Sequence, residues 1–203
     1  MIVQMGEDLT YDMDVLLAAI TDKTKLVYIC NPNNPTGTYV SKDKLMEFAA
    51  KCPDHVIQVY DEAYIEFAQA PDCLEMTEAM KTMPEKPIVL LKTFSKFYAM
   101  AGIRVGYILA QPEIIEWLSK CGTQFALSKV SQAGAVEAMT DIEHQKYVKE
   151  ENAKWRSYLT DGLKELSCKV YPSQTNFIFF HPHVDPETVS MKMMERGIMI
   201  SAQ

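Results

Sequence analysis

The sequence predicts an α/β fold: a mostly parallel sheet flanked by helices, followed by part of a smaller α+β unit. Three observations carry that expectation. Short apolar runs of strand length alternate with runs of helical period through the first 140 residues. Turn-forming and polar residues follow the apolar runs, at the edge where open α/β sheets bind ligands. Past residue 140 the pattern changes to one long helical stretch and then short strand-like runs around a further helix.

Asp12 is placed to cap a helix over Asp14–Ile20. Lys25–Cys30 (KLVYIC) reads as a buried strand, and Asn31–Gly37 as the loop that leaves it. Ser41 caps a second helix whose apolar stripe is Leu45, Phe48 and Ala49. Val56–Tyr60 is a strand with Asp61–Tyr64 at its end. Ile88–Leu91 is another, leading into the loop Lys92–Gly102, and Ile103–Ala110 follows as a further strand. From Pro112 the pattern is helical, through Trp117, Leu127–Met139 and a long segment near Glu143–Leu166. Lys169–Tyr171, Asn176–Phe180 and Ile198–Ser201 look like short strands, with a helix over Glu187–Arg196. The change of pattern sets a boundary near residue 141, so residues 1–140 are expected to form part of a large domain and 141–203 part of a small one. The chain stops in or just past a strand, which leads us to expect a truncated sequence.

Composition removes several classes of function. Twenty Lys+Arg against 27 Asp+Glu give a net charge of −7 and no basic run, which argues against a nucleic-acid surface. No run of about 18 uncharged apolar residues is present, so no membrane-spanning helix is expected. The first ten residues lack a basic stretch followed by an apolar one, so no signal peptide is expected and the setting is expected to be cytoplasmic. Five scattered cysteines, odd in number and without a CxxC pair, read as reduced thiols in mostly buried positions rather than disulfides or a metal site. The HPH run at 181–183 follows a strand and contains a proline, so it reads as a surface turn.

Three stretches carry possible chemistry. In KTFSKFYAMAGIRVGY (92–107) the hydroxyls of Thr93 and Ser95, the Lys96 amine and the Arg104 guanidinium can converge on a phosphate. In NPNNPTG (31–37) the prolines and glycine fix a sharp turn that sets Asn33 and Asn34 at a strand's C-terminal edge. In DEAY (61–64) a carboxylate and, three residues on, a phenol end an apolar strand. Taken singly, each has a plain structural alternative: a solvated loop, a self-satisfied turn, a helix cap.

Together, in this order and spacing, the three motifs resemble the fold-type I pyridoxal-phosphate aminotransferases, class I/II, and most nearly the histidinol-phosphate aminotransferase branch. SQTNFIFF (173–180) and ERGIMIS (195–201) resemble that branch's small domain, so the likeness runs from Tyr11 to Ser201. It implies a large domain like that of pyridoxal-phosphate transferases and pyridoxal 5'-phosphate as cofactor. By this resemblance Lys96 matches the lysine that forms a Schiff base with the cofactor, and Asp61 matches the carboxylate facing its ring nitrogen. Tyr64 and Asn34 match the pair that bonds the ring oxygen, Asn34 also meeting the substrate carboxylate. Thr93, Ser95 and Arg104 match phosphate contacts, and Asn176 sits where the small domain shapes the substrate side.

The activity so implied is transfer of an amino group between an amino acid, with glutamate as donor, and a keto acceptor of the histidinol-phosphate/imidazole-acetol-phosphate type in histidine synthesis. Aromatic amino acid transamination, a threonine-phosphate decarboxylase-like reaction and a non-catalytic truncated chain are the alternatives. Family members are longer and dimeric, so a homodimer is expected of the complete protein, with small-molecule amino and keto acids as its other partners. The family's cofactor-stacking aromatic and its substrate-gripping arginine have no match here. Arg156 and Arg196 lie in expected helices and read as surface charges.

Overall fold

Asp12 opens the first helix by accepting hydrogen bonds from the backbone N–H groups of Asp14 and Val15, at 3.0 and 3.1 Å. In the computed structural model, which describes every residue except Leu74, Gln124, Phe125 and Gln203, this helix is α1 (Met13–Ala18). There follow β1 (Leu26–Cys30), α2 (Lys42–Lys51), β2 (Ile57–Asp61), a 3₁₀ turn over Ile65–Phe67, α3 (Thr77–Thr82) and β3 (Ile88–Thr93). A second 3₁₀ turn over Ala101–Ile103 leads to β4 (Gly106–Leu109), α4 (Pro112–Cys121), α5 (Lys129–Thr140) and α6 (Ile142–Glu165). Then come β5 (Lys169–Val170), β6 (Phe180–His181) and α7 (Pro186–Met194).

The first four strands form one sheet in the order β1-β2-β3-β4. β1, β2 and β3 are parallel, while β4 returns antiparallel along β3. β5 and β6 pair separately as an antiparallel ribbon. Because side chains alternate along a strand, the sheet has two distinct faces. One face carries Ile29, Tyr60, Ile88 and Leu90, which pack with Met13, Leu45, Phe48, Ala49 and Met76 into the main core. The other carries Val59 and Val89, covered by Ile114 of α4. The register sets Cys30 beside Asp61 and Asp61 beside Leu91, so the strands finish together at one edge.

Four expectations need correction. The strand expected over Asn176–Phe180 is reduced to Phe180–His181, because Ser173 and Thr175 turn back to bond the Phe177 carbonyl. Ile198–Ser201 forms no strand among the described residues, and the Ile200 carbonyl instead accepts the Ser190 hydroxyl. The fourth strand begins at Gly106 rather than Ile103, since Ala101–Ile103 is wound into a 3₁₀ turn. Of the cysteines only Cys52 is buried; Cys30, Cys73 and Cys168 are partly exposed and Cys121 is exposed, all as free thiols. Ser41 does occupy the N-cap of α2, although among the described residues its side chain accepts no capping bond.

Candidate active site

Of the expected site residues, Asp61, Thr93, Ser95, Lys96 and Arg104 line one crevice at the C-terminal edge of the parallel strands, while Asn34 and Tyr64 lie outside that lining and join it through the contact of Tyr64 with Lys96. Asp61 is the last residue of β2, and Thr93 is the last of β3. Beyond Thr93 the aromatics of the TFSKF run decide the geometry. Phe94 is buried with Val105 and Ala135, and Phe97 with Tyr64 and Phe67, so both act as anchors. The turn between them is closed by the Ser95 N–H on Thr93 Oγ1 at 3.0 Å and the Ala99 N–H on the Lys96 carbonyl at 3.0 Å. Ser95 and Lys96 are the residues left facing out. An open crevice of about 310 Å³ is lined by Asp61, Ala63, Leu91, Lys92, Thr93, Ser95, Lys96 and Arg104.

Several polar groups in the crevice are held by named partners. Asp61 Oδ1 accepts the Ala63 N–H at 3.0 Å, and Oδ2 accepts the Tyr28 hydroxyl. Burial and that same carboxylate push the Tyr28 phenol well above its ordinary pKa, so it stays a donor. Lys96 Nζ lies 5.4 Å from the centre of the Tyr64 ring, within cation–π range. Arg104 has left-handed backbone angles (φ 52°, ψ 59°), and one guanidinium nitrogen donates to the Ala101 carbonyl at 2.9 Å. A non-glycine residue in that conformation costs about 1 kcal/mol or more, and such strain gathers at functional sites.

The two asparagines of the first loop divide their work. Asn33 is consumed by the loop itself: Oδ1 accepts the Tyr11 hydroxyl at 2.8 Å and Nδ2 donates to Thr36 Oγ1 at 2.8 Å. Asn34 reaches out and donates from Nδ2 to the Tyr64 hydroxyl at 3.0 Å. Tyr64 is in turn met edge-on by Phe177, with ring centres 5.1 Å apart. Asn176 is exposed beside Phe177, and among the described residues the crevice lining does not include it. Arg196 is exposed as expected. Arg156 is not a surface charge: it is half-buried, donates to the Thr175 carbonyl at 2.9 Å, and burial lowers its pKa.

Sequence reasoning passed over Tyr28, Phe177 and a buried charge cluster around Lys92. Tyr28 was detectable in principle, since alternation sets it on the face of Asp61 one strand away. Among the described residues, no set of three or more His, Cys, Asp or Glu side chains is placed to hold a metal ion. No helix among them is long and apolar enough to cross a membrane.

Comparison with known proteins shows where this arrangement belongs. The family described as aminotransferase class I and II matches residues 2–203. The chain belongs to that family. A histidinol-phosphate aminotransferase of Akkermansia muciniphila is 38% identical over 198 residues, 97% of this chain and 53% of the relative. An aromatic amino acid aminotransferase of Mycolicibacterium vanbaalenii is 39% identical over 175 residues, 85% of this chain and 48% of the relative. The crystal structure of histidinol-phosphate aminotransferase from Sinorhizobium meliloti, in complex with pyridoxal-5'-phosphate, superposes with a TM-score of 0.88 at 30% identity. That superposition covers 98% of this chain and 54% of the other. This aminotransferase-family chain therefore spans about half the length of the curated relatives it matches.

Proposed function

We propose that this chain is part of a pyridoxal 5'-phosphate-dependent aminotransferase that exchanges an amino group between an amino acid, with glutamate as donor, and a keto acid. The acceptor we assign is of the histidinol-phosphate/imidazole-acetol-phosphate type. The observation that carries the proposal is the single crevice shared by an exposed lysine, a strand-end carboxylate, two hydroxyl residues and a guanidinium.

The donor set suits the cofactor chemically. The Lys96 amine suits an aldehyde, the Thr93 and Ser95 hydroxyls and the Arg104 fork suit a phosphate, and Asp61 suits a protonated ring nitrogen. When bound, the cofactor supplies an electron sink for the carbanion left by removal of the substrate Cα proton. Lys96 would hold the cofactor through its amine and, once the substrate amine had displaced it, would carry that proton on the freed Nζ. Asp61, fixed by Tyr28 and Ala63, sets its carboxyl group where a ring N–H would need a partner. The Tyr64 hydroxyl and Asn34 Nδ2 orient the ring oxygen, and Asn34 together with Asn176 meets substrate.

Residues 1–140 then belong to the cofactor-binding domain and 141–203 to the smaller one. The complete protein works in the cytoplasm as a homodimer on small amino and keto acids, without nucleic acid or membrane partners. One specific observation favours a second acceptor class: the aromatic amino acid aminotransferase relative is 39% identical, level with the histidinol-phosphate relative at 38%.

The test is spectroscopic. Purified protein mixed with pyridoxal 5'-phosphate is expected to develop a visible absorption band that borohydride fixes onto Lys96 and that Lys96→Ala abolishes. Histidinol phosphate is expected to discharge that band at lower concentration than phenylalanine, and the reverse order would favour the aromatic reading. A folded chain, by circular dichroism, that gives no band overturns the proposal.

A further inference from the structure

Behind the crevice, on the opposite face of the sheet, lies a buried knot of charge. Lys92 Nζ is 2.9 Å from Glu75 Oε1, 3.2 Å from Glu62 Oε2 and 3.7 Å from Glu66 Oε1. The Lys92 and Glu62 side chains are only 3% and 1% exposed. Lys92 thus offers no second amine to a ligand, although it stands four residues before Lys96. Glu62 ties three segments together. Its backbone N–H donates to the Leu91 carbonyl at 3.0 Å, its Oε2 faces Lys92, and its Oε1 accepts the Met76 N–H at 2.6 Å.

The sequence neighbours of these residues are the crevice residues. Glu62 follows Asp61, and Lys92 precedes Thr93. Alternation therefore turns each charged partner into the knot while its neighbour faces the crevice. A slip of one residue at the end of β3 would carry Lys92 out to the crevice, drive Thr93 into the core and strand buried carboxylates without a cation, and one at the end of β2 would turn Glu62 away from Lys92. Two apolar side chains would join the strand ends at less cost in desolvation, but a slip would cost them only their burial and would leave no buried charge unpaired. We infer that Lys92, with Glu62, Glu66 and Glu75, is a positioning cluster: it locks the ends of β2 and β3 in register so that Asp61 and the Thr93–Lys96 turn meet across one crevice. This inference rests on the cofactor site proposed above and extends it to charged groups whose side chains are tied up in the knot, Lys92 bordering the crevice while its Nζ is turned away from it.

The experiment titrates wild type, Lys92→Met, Lys92→Arg and Glu75→Gln with pyridoxal 5'-phosphate. It follows the visible band and its pH midpoint, with urea unfolding measured in parallel. Lys92→Met is expected to weaken cofactor affinity about tenfold or more and to shift the pH midpoint. Lys92→Arg is expected to restore most of both, and Glu75→Gln to lose an intermediate amount. Should Lys92→Met fail to fold, Glu75→Gln carries the test, because the Glu75 carboxylate is 49% exposed and its loss is mild. Variants that unfold at lower urea yet keep the wild-type affinity and midpoint overturn the positioning role alone. A wild-type chain without a band overturns the cofactor site and this inference with it.

Discussion

At Gly37 the backbone sits at φ +76°, and a Cβ built there would lie 2.6 Å from Ser173 Oγ and 2.8 Å from Ser173 Cβ. Both facts matter to the site, because this is where the NPNNPTG loop touches the loop that carries Phe177. The Gln174 N–H donates to the Gly37 carbonyl at 2.9 Å, and Ser173 Oγ donates to the Phe177 carbonyl at 2.6 Å. Phe177 then meets Tyr64, the partner of Asn34. Gly37→Ala is therefore expected to combine left-handed strain with a displaced Ser173 loop, costing about 2–3 kcal/mol of stability in urea unfolding. The same variant is expected to weaken cofactor binding, since Tyr64 loses its edge contact. An alanine variant as stable as wild type would show that the two loops are not fitted to each other.

Among the elements, α2 shows how far pattern alone reaches. Leu45, Phe48 and Ala49, spaced i, i+3 and i+4, are all buried, against Ile29 of β1 and Tyr60 of β2. Phe48→Ala opens a cavity in the largest core and is expected to cost about 3–5 kcal/mol, read from the shift in urea midpoint. The parallel strands were legible for the same reason, since apolar runs such as KLVYIC have the length and flanking turns of buried strands. Helix α3 was not legible: TEAMKT is six residues long and buries only Ala79, so no stripe announces it. The strand expected at Ile198–Ser201 had the right residues, but a strand needs a partner, and pairing lies outside local sequence. At the site, Lys96, Asp61 and Arg104 were visible through their motifs. Lys92 was hidden because its partners come from three places, with only the Glu62 and Glu66 spacing as a local cue. Arg156 was misread because its burial depends on Thr175, nineteen residues away.

Across the whole molecule the buried charges set how stability responds to pH. Burial pushes the Glu62 carboxyl up to about 7, against the pull of Lys92, and raises Glu66 as well. The ordinary value for both is 4.5. A carboxyl whose folded pKa lies above its unfolded one binds its proton more tightly when folded. Stability from this source is therefore present below about pH 4.5 and is lost as pH rises from there through about 7. Lys92 shifts upward too, its desolvation outweighed by the three glutamates, and stays charged throughout this window. The exposed carboxyls of Glu47 and Glu151 shift the other way, lowered by hydrogen bonds to Lys51 and Trp155 respectively, so they lose stability only as acid protonates them. The chain is thus expected to be more stable near about pH 5.5 than near about pH 8, by on the order of 2 kcal/mol, in urea unfolding at the two values. Glu62→Gln is expected to flatten most of that difference, leaving the smaller share of Glu66. A wild-type midpoint that instead climbs between the two pH values would mean that Lys92 keeps Glu62 ionised throughout, with the cluster acting as a fixed set of charges rather than one that holds a proton near neutrality.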